Sequence, residues 1–448
     1  MTVPRGVAAI LTKTPTDTVV LSAVRTPVCR ANRGLLKDAY PEELLATVLA
    51  ATKRHAAERY GLAHQRVQEV GVGVVLSELG GSKAARMALN HVGYDTRATT
   101  LYTVNRACAS SLQAVALVAN QIRAGDIDVG IGAGMESMTR NYGSRAIPVD
   151  AWPALRDSPD KDARDCVMPM GLTSENVARR YGVGRAEQDA MALASHRRAA
   201  RAAAAGDFVA SAQKGDAGEV VAVTTQYQPL PPKGAPADAP PAPVEQVTVT
   251  QDDGIRANVT AEALAKLKPA FVPEGGTSTA GNSSQVSDGA AAVLLARRSA
   301  IDMDASNQPI GRFVGAVTVG CRPDEMGVGP ALAIPALLER YGLAVADVHR
   351  WEINEAFASQ AVYCVRALGL EKAWAESDAD YRQSLAARPA ALVNPDGGAI
   401  ALGHPLGATG ARTVSTLLHG LQRDGGEIGV VSMCIGTGMG MAALFVRE

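Results

Sequence analysis

The chain has 448 residues, 47% of them hydrophobic and 20% charged, with 44 Lys+Arg against 45 Asp+Glu. At roughly 150 residues per domain this is about three structural units with ample core, and the near-zero charge excludes a strongly basic nucleic-acid binder and an acidic tail protein. No apolar run approaches the roughly 18 residues of a membrane span.

With five Phe and three Trp, the cores fall to Ala, Val, Leu and Ile packed around 44 glycines. Six cysteines (Cys29, Cys108, Cys166, Cys321, Cys364, Cys434) are spread without a CxxC or metal-ligand spacing, which points to free thiols in a reducing compartment and to no metal site.

Residues 1–16 hold Arg5 and Lys13 but no acid, a composition shared by transit peptides and frayed N-termini, and residues 1–17 are expected to be flexible. The first buried strand is 18–23, followed by helical spacing over 41–56 and a strand over 70–76. Leu112, Val115, Ala116, Ala119 and Ile122 form one helical stripe, which Gly125 stops. A strand from 128 to 133 then runs into a glycine turn. Alternation of this kind predicts an α/β fold with a mixed sheet covered on both faces.

From about residue 145 the pattern changes to helices over 172–181 and 185–205 without buried strands between them, the mark of an inserted loop domain. Seven prolines between 229 and 243 predict an extended, solvated excursion. The α/β pattern resumes near Ala290, with strands over 310–319 and 428–433, a helix over 358–367 and another presenting Val414, Leu417, Leu418 and Leu421. The expected organisation is a first half over 18–144, a loop domain over 145–289 and a second half over 290–448, the halves being an internal duplication.

Cys108 stands just before the 111–123 helix. Read alone it is either a small buried hydrophobe or a nucleophile whose thiolate the helix start favours, with a lowered pKa. His404 is pinned between Gly403 and Pro405 in a glycine-rich loop, where backbone approaches something closely. Cys434 opens Cys434-Ile435-Gly436-Thr437-Gly438, either a main-chain oxyanion site or a bulged hairpin. Asn354-Glu355 sits between an apolar strand and a helix, as a cap or as site residues. The remaining histidines read as structural or solvated.

Together the Cys108 segment, the run Asn354-Glu355-Ala356-Phe357, the Gly403-His404-Pro405 loop and the Cys434-Ile435-Gly436 loop resemble the four catalytic loops of the thiolase family, in the family's order, over residues 18–446. Flanking text such as Asp165-Cys166-Val167-Met168-Pro169-Met170-Gly171 and Thr279-Ala280-Gly281-Asn282-Ser283-Ser284 is similar to the degradative, peroxisomal-type 3-ketoacyl-CoA thiolases. Short-chain biosynthetic members usually carry a histidine where Pro169 stands. Ala107 and Ala109 depart from the polar residue and serine that often flank the nucleophile.

The resemblance implies a five-layer α-β-α-β-α body of two similar halves, with the loop domain covering the CoA site. It implies cleavage of a 3-ketoacyl-CoA by CoA through an acyl-Cys108 intermediate. Cys108 would be the nucleophile activated by His404, and Cys434 the acid or base at the α-carbon. One oxyanion site would come from His404 with a water held by Asn354, the other from the amides of Cys108 and Gly436. Decarboxylating ketosynthases need no thiol base, so Cys434 speaks against them. A sterol-carrier-type thiolase would place a histidine where Asn354 stands.

For CoA the matching positions are Met170, Ser284, Met326 and Phe357, with Arg256 near the adenine nucleotide. Read alone, the methionines and Phe357 are ordinary core and Arg256 a solvated charge. CoA and acyl-CoA are substrates, and no cofactor is implied. The partner is a second copy, a homodimer or a tetramer. The N-terminal residues do not match the peroxisomal N-terminal address and residues 446–448 are not a peroxisomal tripeptide, which leaves the location open between peroxisome or mitochondrial matrix in a eukaryote and cytoplasm in a bacterium. The Pro-rich stretch and residues 370–392 look like additions to the family pattern. Acetoacetyl-CoA synthesis, and a non-catalytic acyl-CoA scaffold, are the competing functions.

Overall fold

In the computed structural model, residues 3–142, 147–148, 150–209, 218–232, 234, 236, 240–304, 306–376 and 391–448 are described. Their strands are β1 (Thr18–Arg25), β2 (Cys29–Arg30), β3 (Glu69–Gly73), β4 (Thr100–Val104), β5 (Val129–Ser137), β6 (Val223–Tyr227), β7 (Glu245–Val249), β8 (Ser287–Arg297), β9 (Gly311–Gly320), β10 (Arg350–Ile353), β11 (Leu392–Val393), β12 (Ile428–Ile435) and β13 (Met439–Val446).

The first half orders its strands β4-β3-β5-β8-β1, and the second orders them β11-β10-β12-β13-β9. Strand for strand in chain order the two arrangements are the same, so the expected duplication is present as topology. In each half a parallel trio is followed by antiparallel neighbours: β3 pairs in parallel with β4 and β5, and β10 with β11 and β12. β1 and β9 add a short antiparallel contact over Thr18–Val20. Hydrogen bonding therefore runs unbroken from one half into the other, through a single eleven-stranded sheet that includes β2.

Three apolar clusters fill the five layers. Leu44, Leu45, Val48 and Leu49 of the helix Pro41–Tyr60 pack on Val70, Val72 and Ile131 outside the first half. That helix starts at Pro41, with the Glu43 carboxylate accepting the Tyr40 N–H, and stops at left-handed Gly61. Ile334 and Leu337 of the helix Gly329–Tyr341 cover Trp351, Val430 and Leu444 outside the second half. Between the halves, the helices Ser110–Ala124 and Thr409–Asp424 lie together, with Leu112, Val115, Val414 and Leu417 in one core with Val293 and Val431. Each such side chain, wholly buried, contributes about 2 kcal/mol of hydrophobic stabilisation.

Three expectations change. Residues 287–297 return to the first half as β8, between β1 and β5, so a boundary at 290 falls inside a strand and belongs in the connection between β8 and β9. A continuous apolar run looked like the start of the second half because central strands of both halves are buried on two faces. The N-terminal stretch is docked: Val7–Leu11 is helical with Ile10 buried, Gly6 N–H donates to Tyr341 O at 2.8 Å, and Arg312 Nη1 donates to Thr12 O at 2.7 Å. A short run without strong periodicity concealed these long-range contacts. The Pro-rich stretch contains residues outside the described ones; its described residues carry no helix or strand and are flanked by β6 and β7, an antiparallel ribbon. Most of the 370–392 segment, residues 377–390, also lies outside the described residues.

The loop domain is the chain between β5 and β8. Its helices Met170–Tyr181 and Arg185–Ala204 lie against the second half. Among the described residues no helix is long and apolar enough to cross a membrane.

Candidate active site

Cys108 follows β4 and precedes the helix Ser110–Ala124. Ala107 before it is left-handed at φ 42°, which costs an alanine about 1 kcal/mol. The turn is held by Asn105 Oδ1 accepting the Ala107 N–H at 2.9 Å, and by Ser110 Oγ, which accepts the Arg106 N–H and donates to Ala107 O at 2.7 Å. The N–H groups of Gly436 and of Cys108 itself point at the buried sulfur. Burial outweighs both amides and pushes the thiol up. The helix start therefore does not deliver the lowered pKa expected of it: at rest Cys108 is a thiol.

Gly436 belongs to the turn between β12 and β13, where Thr437 and Gly438 are left-handed at φ 72° and 91°. A Cβ on Gly438 would stand 2.4 Å from Cys321 O, so that position admits only glycine. The two readings of these glycines are one fact: the hairpin turn is what aims the Gly436 amide at Cys108. Cys434, two residues earlier on β12, is wholly buried with Met326 and Ala356, and Met170 and Phe357 pack against it. Burial first, then the neighbouring Cys108 sulfur, push its thiol well up.

His404 is buried, and desolvation, followed by the charge of Arg412, pushes its pKa down to about 3. Its Nδ1 is 2.7 Å from Thr409 Oγ1, and the hydroxyl donates to Pro405 O at 2.9 Å. That leaves Nδ1–H to donate to Thr409 and the lone pair on Nε2, which faces Asn354 Nδ2 at 3.5 Å. Asn354 Oδ1 is buried without a partner among the described residues. The cap of the next helix is Phe357, with no side-chain bond from Asn354 or Glu355, so the cap reading fails. Glu355 accepts from Ser195 Oγ at 2.6 Å and Asn394 Nδ2 at 2.8 Å, fastening the loop domain to the glycine-rich loop.

Of the residues singled out for CoA, Met170, Met326 and Phe357 share the Cys434 cluster, and Ser284 N–H donates to Ala356 O at 3.0 Å beside it. Arg256 stands apart: it is exposed, with its backbone N–H on His196 Nδ1 at 3.2 Å. A cavity of about 390 Å³ flanks it through Ile255 and Ala257 and is lined by none of the four-loop residues.

Sequence reasoning missed Phe271, whose ring meets Phe357 edge-on at 6.1 Å and fills the space above Gly171. It also missed Thr409 and Glu136. Thr409 had a signal, a hydroxyl five residues after His404 at a helix start; Phe271 had none. Among the described residues no group of His, Cys, Asp and Glu has the geometry of a metal site.

Residues 18–299 match the thiolase N-terminal domain and 307–447 the thiolase C-terminal domain. The chain is 47% identical over 439 residues to peroxisomal 3-ketoacyl-CoA thiolase B of Mus musculus, covering 98% of this chain and 92% of that protein. It is 47% identical over 430 residues to the peroxisomal 3-ketoacyl-CoA thiolase of Homo sapiens, covering 96% and 90%. The crystal structure of the dimeric peroxisomal thiolase of Saccharomyces cerevisiae superposes with a TM-score of 0.80 at 38% identity, over 99% of this chain and all of that one. The chain belongs to the thiolase family.

Proposed function

We propose that the protein is a 3-ketoacyl-CoA thiolase of fatty acid β-oxidation, an acyltransferase that cleaves 3-ketoacyl-CoA with CoA to acetyl-CoA and a shortened acyl-CoA. The observation that carries this reading is the Gly436 amide aimed at the Cys108 sulfur, with Cys434 beside it. Cys108 Sγ attacks the keto carbon while its proton passes to His404 Nε2. The carbon–carbon bond then breaks, its electron pair leaving on the α-carbon of acetyl-CoA, and Cys434 gives that carbon a proton. The sulfur of a second CoA attacks the acyl-Cys108 thioester, its proton going to the Cys434 thiolate, and Cys108 leaves to recover the proton held by His404.

Negative charge grows on oxygen in both half-reactions. The amides of Cys108 and Gly436 meet one oxyanion, and His404 with a water held on Asn354 meets the other; each donor is worth about 3 kcal/mol in a site that excludes water. A thiol suits both jobs because it is a soft nucleophile and a good acyl carrier. The apolar walls Met170, Met326 and Phe357 take the pantetheine arm, and Ser284 lies beside them. Arg256 holds the nucleotide end.

The working unit is a homodimer. Among the described residues β4 is an edge strand with one side unpaired, exposed Leu79 and Met87 sit in the elements packed against it, and the yeast relative is described as dimeric. Six unpaired cysteines support a reducing intracellular compartment.

The test is acylation. Incubated with 3-ketoacyl-CoA and digested, the protein should carry a thioester two carbons shorter than the substrate chain on Cys108, and Cys108→Ala should carry none. A thioester that persists in that variant refutes the assignment. Rates over a series of four-carbon and longer ketoacyl-CoA substrates then fix the chain length served and separate cleavage from acetoacetyl-CoA synthesis.

A further inference from the structure

Glu136 is a buried carboxylate with no job in the reaction above. It is wholly inaccessible, and among the described residues no Lys or Arg pairs with it. A carboxylate buried without a cation is costly, so its partners are informative. They are three backbone amides: Val75 N–H at 3.2 Å and Leu76 N–H at 3.3 Å, from the connection after β3, and Gly407 N–H at 3.0 Å, from the loop that carries His404.

Both connections border the site. Val75 O accepts from Asn105 of the Cys108 turn at 3.2 Å, and Gly73 before it backs onto the helix that Cys108 precedes, where a Cβ would stand 2.3 Å from Ser111 N. Gly407 is equally close-fitted: a Cβ there would meet Met135 O at 2.6 Å and Gly73 O at 2.9 Å. Glu136 thus ties the His404 loop of the second half to the Cys108 side of the first.

Its place in the fold adds weight. The last residue of β3 pairs with Gly134, two before Glu136, and the last residue of β10 pairs with Ser432, two before Cys434. Glu136 and Cys434 therefore occupy the same position in the two halves, each at the end of a central strand and each turned to a loop of the opposite half.

We propose that Glu136 is a positioning residue for the thiolase reaction: it latches the His404 loop in register with Cys108. It lies behind the Cys108 turn, and its charge adds, after burial, to what keeps Cys108 a thiol. The inference rests on Cys108 and His404 acting together, as proposed above. The titratable groups around the pair are Asp288 on β8, which with burial raises Glu136 to about 7 against the pull of the three amides, then Cys108, His404 and Cys434. Of these, Glu136 is the one whose charge acts against the Cys108 thiolate.

Two properties of the full-length protein separate latch from charge: kcat for thiolysis, and the pH midpoint of Cys108 alkylation by iodoacetamide, read by peptide mass spectrometry. Glu136→Gln keeps one acceptor oxygen and loses the charge, so the midpoint should fall and kcat should drop by about tenfold. Glu136→Asp keeps the charge but withdraws it from Gly407, so kcat should fall by about a hundredfold with the midpoint unmoved. Gly407→Ala lifts the same loop, its methyl crowding Met135 O, Gly73 O and the Glu136 carboxylate at 3.1 Å, while the carboxylate keeps its charge, and it should behave like Glu136→Asp. An alkylation midpoint that stays or rises in Glu136→Gln overturns the electrostatic role. A kcat within threefold of the parent in both Glu136→Asp and Gly407→Ala overturns the latch, and these two decide if Glu136→Gln does not fold. Acylation of Cys108 at the parental rate in every variant leaves Glu136 purely structural and ends the proposal, whereas no acylation in the parent itself fails the thiolase reading instead.

Discussion

The two halves share a strand order and divide the chemistry. In the first, the connection from β4 to the helix Ser110–Ala124 is short and carries Cys108. In the second, the matching connection from β11 to the helix Thr409–Asp424 is longer, rich in glycine, and carries His404. After the central strands the contrast is greater. β12 turns directly into β13 through residues 436–438, which puts Cys434 and the Gly436 amide on a rigid hairpin, whereas the matching connection from β5 to β8 holds the whole loop domain. On the function proposed above, one topology yields a nucleophile and a substrate cover from one copy, and an imidazole, an amide donor and a second thiol from the other. The difference teaches that a duplicated frame fixes where loops end, while loop length and residue type fix what they do.

If the second half supplies the carbon acid and the first only the acyl carrier, the two tasks separate by mutation. Cys434→Ala should lower thiolysis about a thousandfold, within the span of a lost acid–base group. Exchange of the acyl group between acyl-CoA and free CoA forms no carbanion but still passes the CoA proton through Cys434, so it should fall less, by about a hundredfold. Label exchange between the two thioesters measures the second rate. Equal loss of both would merge the roles.

Next in size is the hydroxyl that sets the imidazole. Thr409→Val removes the acceptor of His404 Nδ1–H and should lower kcat by about a hundredfold, with Thr409→Ser recovering most of it. The same hydrogen bond frees Nε2 for the Cys108 proton, so the loss should appear in the acylation step measured by stopped flow.

The pH profile of that step sharpens the point. Burial keeps His404 neutral down to about pH 3. A histidine with a depressed pKa loses its base form only as pH falls through the depressed value, so in Glu136→Gln, which removes the carboxyl that titrates at about 7, Cys108 acylation should be flat from pH 8 to about pH 5.5, with no limb at the ordinary value near 6.5. A midpoint near 6.5 would mean that the imidazole is open to water.

The smallest expected effect is on stability. Gly438→Ala places a methyl 2.4 Å from Cys321 O at φ 91° and should cost about 2 kcal/mol in urea unfolding. Its effect on kcat should exceed that of Gly425→Ala, which is also left-handed, at φ 73°, but has open space around it and lies far from Cys108 in the chain.

Much of this was legible in the residues. The strand over 18–23, the helix over 358–367 and the helix stopped by Gly125 follow from apolar period and stop signals, which are local. Cys108, His404, Cys434 and Asn354 stood out because each sits at the junction of an element with a glycine-rich or polar loop. What could not be read was long-range. β8 belongs to the first half because its partners are more than 150 residues away in the chain. Ile10 is buried by contacts with the second half, and Phe271 reaches Phe357 across the loop domain. The raised Cys108 thiol was also hidden, since a helix start is visible in sequence and the depth of burial that overrides it is not.

The most direct test of the convergence of both sulfurs is bridging them in the native protein. Treatment with 1,3-dibromoacetone, which joins two thiols through three carbons, followed by peptide mapping should give a Cys108–Cys434 bridge, and prior acylation of Cys108 should abolish it. A map in which Cys434 bridges Cys321 or Cys364 while Cys108 reacts alone would contradict the account.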